Sequence, residues 1–150
     1  MFQPNNFKEC LSLLAMAGGF TYSLILENPK SGYMVSIEGL ERKCDCNNSV
    51  VVFQDFVFEN VTRATNENLY FGGWMEGQQI YFDLSKNIPN LKDAIRFGLE
   101  NKQLAIFDVE KTTVISISDF TPQKGGTEKQ KKSYINAWID KKIKEIKKQS

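Results

Sequence analysis

A chain of 150 residues with 41% hydrophobic content is long enough to bury one core without help from disulfides or metal, and a single soluble domain is expected. It holds no histidine, which removes the commonest general base, the usual partner of a serine or cysteine nucleophile and the commonest zinc ligand; carboxylate, lysine or tyrosine chemistry stays open. The net charge of +1 hides an asymmetry, since residues 1–119 carry 10 Lys+Arg against 15 Asp+Glu and residues 120–150 carry 9 against 3. Such a division suits a polyanion at the tail, an internal contact between tail and body, or a partner with the opposite layout.

The opening Met1-Phe2-Gln3-Pro4-Asn5-Asn6 lacks a basic region, and no stretch approaches the length of a membrane span, so neither a signal peptide nor a membrane partner is expected. Asn5 or Asn6 caps a first helix over residues 6–17, with Phe7, Cys10, Leu11, Leu14 and Ala15 at helical spacing and Gly18-Gly19 ending it. Residues 20–26 and 33–37 are rich in β-formers around Asn28-Pro29-Lys30-Ser31-Gly32, which predicts a β-hairpin. Residues 50–61 have two readings, a strand from the composition of Val50-Val51-Val52-Phe53 and a helix from the stripe Phe53, Phe56, Val57, Asn60 and Val61; the helix is preferred, followed by a polar loop over 62–68.

A second hairpin is predicted from Leu69-Tyr70-Phe71 with Trp74-Met75 and from residues 80–84, turned by Glu76-Gly77-Gln78. Pro89-Asn90 opens a third helix with Leu91, Ala94, Ile95 and Leu99 on one face, and residues 103–109 and 113–118 form a third pair. The order gives an α+β fold: a mainly antiparallel sheet from three αββ units, covered by helices. The expected organisation is a compact domain over residues 1–119, a linker over 120–127 and a basic amphipathic C-terminal helix over 128–150, with Ile135, Trp138, Ile139, Ile143 and Ile146 as its apolar stripe.

No cofactor or metal is expected. Cys10, Cys44 and Cys46 form an odd set, which fits a reducing cytoplasm, and Cys44-Asp45-Cys46 lacks the two-residue spacer and second pair of a zinc site. Gly72-Gly73 beside Trp74 reads as a bulge or as room for an aromatic packing across the strand. Gly18-Gly19 follows a helix and precedes a strand, the reverse of a phosphate loop; Gly125-Gly126-Thr127 precedes a helix among lysines but lacks a P-loop pattern. Asp83, Asp93, Asp108 and Glu110 are the carboxylates best placed to meet, though hairpin ends and first helical turns ordinarily carry such residues. No catalytic constellation emerges, and a non-enzyme is expected.

The basic helix carries the most functional content: Lys131, Lys132, Lys141, Lys142 and Lys144 surround a stripe containing Trp138. The stripe docks on its own domain beneath a solvated lysine face, or the helix binds nucleic acid, or it binds another protein. No arginine follows Arg96, which weakens nucleic-acid readout.

The blocks Gly19-Phe20-Thr21-Tyr22, Ser31-Gly32-Tyr33-Met34-Val35-Ser36, Trp74 with Tyr81-Phe82-Asp83-Leu84-Ser85, and residues 101–108, taken together, resemble small proteins carried by bacteriophages, plasmids and other mobile elements. The resemblance covers about residues 7–117 and implies a compact domain with no catalytic residues. It also implies a setting in the cytoplasm of a host bacterium, where proteins of this size and composition act as anti-defence inhibitors of anti-CRISPR or anti-restriction type, by protein–protein interaction on a nuclease complex. The acidic body of residues 1–119 is then expected to face the nuclease's nucleic-acid channel, with Asp55 and Glu59 among its carboxylates. The alternatives are a nucleic-acid-binding accessory protein using the lysine helix and a binder of a small ligand or nucleotide signal.

Overall fold

The structure, a computed structural model, describes residues 6–149. In chain order these form α1 (Phe7–Ala17), β1 (Gly19–Tyr22), β2 (Tyr33–Ser36), β3 (Arg42–Asp45), a 3-10 turn (Cys46–Asn48), α2 (Ser49–Glu67), β4 (Leu69–Glu76), β5 (Gln79–Ile88), α3 (Leu91–Glu100), β6 (Ala105–Asp108), β7 (Thr113–Ser116) and α4 (Glu128–Lys148). The class is α+β with antiparallel pairing, as the sequence predicts. The chain gathers into two compact units, one holding the described residues up to Lys30 with Ser36–Asn87, the other Ser31–Val35 with the described residues from Ile88 onward.

In the first unit Asn6 starts α1 because its side-chain oxygen accepts the Glu9 amide at 3.0 Å, and Gly18 ends it at φ 83°. β4 and β5 form the expected hairpin, from Leu69 opposite Lys86 to Glu76 opposite Gln79. Alternation then sends Phe71, Phe82 and Leu84 to one face, where α2 supplies Phe53 and Phe56. Phe53 stacks on Phe82 at 4.8 Å and Phe20 meets Phe53 edge-on at 5.3 Å. Each such pair contributes roughly 0.5–1.5 kcal/mol beyond the burial itself.

Two expectations for this unit need correction. β1 and β2 do not form a hairpin: β1 pairs with β4, Phe20 opposite Gly73, while β2 pairs with β6. The three-αββ pattern therefore fails in its first unit and holds for α2-β4-β5 and α3-β6-β7. The chain leaves β1 at Ser23, whose hydroxyl accepts the amides of Ile25 and Leu26 and bends the backbone out of the sheet. Phe20 then packs over Gly73, a position where any side chain would collide with its ring. Residues 62–67 continue α2 instead of looping, with Arg63 bonded to Glu67 at 2.6 Å and Asn68 closing the helix at φ 56°.

In the second unit Val35, Ile88, Ala94, Ile95, Ile106, Ile117 and Ile139 make the buried core. α3 approaches through Gly98, where an added Cβ would stand 2.8 Å from Ile117 and 3.1 Å from Ile106. α4 begins at a reciprocal capping box, Thr127 with Gln130, as Ser/Thr before a helix favours. Its stripe Ile135, Trp138, Ile139, Ile143 and Ile146 packs on this core, so the C-terminal helix is docked.

Candidate functional site

The lysines of α4 divide by how much of them the docking uses. Lys142 donates to Asp119 at 3.0 Å and lies 5.8 Å over the Trp138 ring, its side chain only 15% exposed. The Lys142 hydrogen bond holds the Asp119 carboxyl below its usual range. Trp138 is half-buried and meets Phe120 edge-on at 5.1 Å. Lys131 is half-buried, while Lys132, Lys141 and Lys144 are exposed. Asp140, paired with Lys92 at 3.2 Å, and Glu145 interrupt the basic face. Arg96 adds a 2.7 Å bond to Asn136, fastening α3 to α4.

On α2, Glu59 is committed to Arg42 at 2.5 Å, and that bond holds its carboxyl low. Arg42 in turn lies 5.6 Å over Phe56. Asp55 is exposed, and it sits between two exposed apolar side chains that sequence reasoning missed: Val51 at 62% and Phe58 at 84%. The spacing 51, 55, 58 puts them on one helical row, with exposed Val50 beside it. The signal in the sequence was that Phe58 falls outside the stripe that defines the buried face.

On the opposite face of the β4-β5 hairpin, Trp74 and Tyr81 stack at 4.1 Å and 9°, and Lys43 lies 5.5 Å over Tyr81. Two residues along, Gly72 faces Asp83, and an added Cβ at Gly72 would collide with the Asp83 carboxylate. Asp83 is buried and accepts from Ser36 Oγ at 2.6 Å, with Ser85 Oγ 3.4 Å from that hydroxyl. Burial raises its pKa against the lowering effect of the Ser36 bond.

The other candidate carboxylates serve the local backbone. Asp93 stands in the first turn of α3 and pairs with Arg96 at 3.5 Å; Asp108 accepts the Lys111 amide in the β6-β7 turn. Burial raises the Tyr33 phenol, with Asp108 and then Glu110 adding to it. Cys10 is buried in α1 and its thiol is pushed up to about 12 by that burial; Cys44 faces Ile80 within the sheet and is also raised, first by burial. Cys46 donates its thiol to the Gln78 carbonyl at 3.1 Å. Among the described residues no cluster of three or more cysteine or carboxylate side chains is placed to hold a metal ion. At Gly125-Gly126-Thr127 the Thr127 and Gln130 amides are taken by the capping box, and Gly18 ends a helix. No helix among the described residues is long and apolar enough to cross a membrane.

No protein-family model, curated protein or solved structure matches the chain.

Proposed function

We propose that this protein is a non-enzymatic binding protein that inhibits a nuclease complex of a bacterial host's defence system, working in the cytoplasm through the outer face of α2. The supporting observation is the row Val51, Asp55, Phe58, where two large apolar side chains stand in water on either side of a carboxylate. An exposed Phe flanked by acidic groups is an anchor suited to an apolar socket in a basic surface, and nucleic-acid channels are such surfaces. The bacterial setting is taken from what the resemblance to mobile-element proteins implies.

The test is affinity recovery of the protein from a lysate of a host with defence nucleases, followed by a cleavage assay on the recovered complex. Near-stoichiometric recovery of one nuclease with cleavage suppressed, and cleavage restored by Asp55→Lys with Phe58→Glu, supports the reading. Unchanged inhibition by that double variant, or recovery of nucleic acid alone, rejects it. Exposed Lys141 and Lys144 favour a second reading, binding of nucleic acid along α4. Deleting residues 120–150 is not a clean probe of this reading, because Ile139 belongs to a core. Lys141→Gln with Lys144→Gln must instead weaken binding and flatten its salt dependence by roughly one contact per lysine.

A further inference from the structure

The geometry points to a second recognition site, on the sheet face opposite α2: a seat for the guanidinium of a partner's arginine, stacked on Trp74 above Gly19 with Glu76 as its counter-charge. The column Lys43, Tyr81, Trp74 runs across three neighbouring strands, and each member lies against the next. Across from Trp74 on the next strand is Gly19, which has no side chain to continue it. Trp74 keeps 39% of its surface exposed even though Tyr81 covers one ring face. Lys43 already shows that this column takes a cation at its far end, and the Trp74 end is open to the same interaction.

Charge selects the ligand. Glu76 stands exposed two residues from Trp74, on the same face by the strand's period of two. A phosphate-bearing nucleobase offers the same flat ring but meets repulsion here. Guanidinium is flat, weakly hydrated and positive, so it can stack on the ring and pair with the carboxylate at once, whereas an ammonium is more strongly hydrated and has no flat face to lay on the indole. This inference does not depend on the α2 reading.

Charge-matched tri-arginine and tri-lysine amides, titrated into the isotope-labelled full-length protein, test it through the Trp74 indole N–H and Gly19 amide resonances. Trp74→Leu assigns the indole signal. The arginine peptide is expected to shift both resonances and to bind about fivefold more tightly than the lysine peptide, a preference that Trp74→Leu abolishes. Glu76→Gln, an exposed change that leaves the fold intact, weakens the arginine peptide about threefold. Equal affinity for the two peptides, or shifts confined to other residues, overturns the site. A response of Trp74 to adenosine monophosphate without one to tri-arginine also overturns it, in favour of a nucleobase.

Discussion

Ser36 Oγ donates to Asp83 Oδ2 at 2.6 Å, giving a carboxyl on a sheet face a hydrogen bond within a buried setting. One such bond does not offset the burial, because the pKa still lies above the ordinary 3.8. The stability associated with Asp83 is therefore fully present below 3.8 and is lost as pH rises through the elevated folded value. Asp83→Asn keeps an acceptor for Ser36 and cannot ionise. Urea midpoints taken across that pH range should fall for the parent and stay flatter for Asp83→Asn; parallel curves would show that Asp83 ionises at no cost.

Gly72→Ala drives a methyl group into the Asp83 carboxylate, so it is expected to destabilise the protein by about 1–3 kcal/mol. The collision depends on the partner, and Gly72→Ala with Asp83→Ala should cost less than the two single changes added together. A strictly additive double-mutant cycle in chemical denaturation would place the strain elsewhere.

Ile139→Ala removes a fully buried side chain that α4 contributes to the second unit's core, with an expected loss of about 2–5 kcal/mol. Thr127→Ala opens one side of the capping box and is expected to cost about 1 kcal/mol. Thermal or urea unfolding ranks the two, and a negligible effect of Ile139→Ala would mean that α4 is not docked in solution.

The cysteines should separate in reactivity. A thiol reagent at mildly alkaline pH is expected to modify Cys46 quickly and to leave Cys10 and Cys44 untouched until denaturant is added, since both are buried and hold their protons more tightly than an ordinary thiol. Mass spectrometry of the labelled peptides gives the order; rapid labelling of Cys10 would contradict its burial.

The parts legible in the sequence were those where a local signal and the tertiary outcome agree. The β4-β5 and β6-β7 hairpins, and α1, α3 and α4 with their caps, follow from periodicity and turn chemistry near the residues concerned. β3 escaped notice because Arg42-Lys43-Cys44-Asp45 has no apolar alternation; only Cys44 is buried, and Arg42 reaches inward by lying on Phe56. The β1-β4 pairing depends on a glycine gap under Phe20 some fifty residues away, which no window along the chain can see. Of the candidate site, Asp55 was legible as an exposed acid, but Glu59 was not legible as half of an ion pair, and the Trp74-Tyr81 stack appears only once the register is known.

The division of the chain also sets an order of assembly. The first unit has all its residues once Asn87 has been made, but Val35, a core residue of the second, leaves the ribosome long before its neighbours Ile106, Ile117 and Ile139. Tyr33 and Met34 likewise wait for Asp108 and Phe107 as strand partners. The second unit therefore closes last and over the longest loop, its early strand held in reserve until the rest of that unit has been made. Any cut of the gene between the two halves would leave Val35 on the wrong fragment.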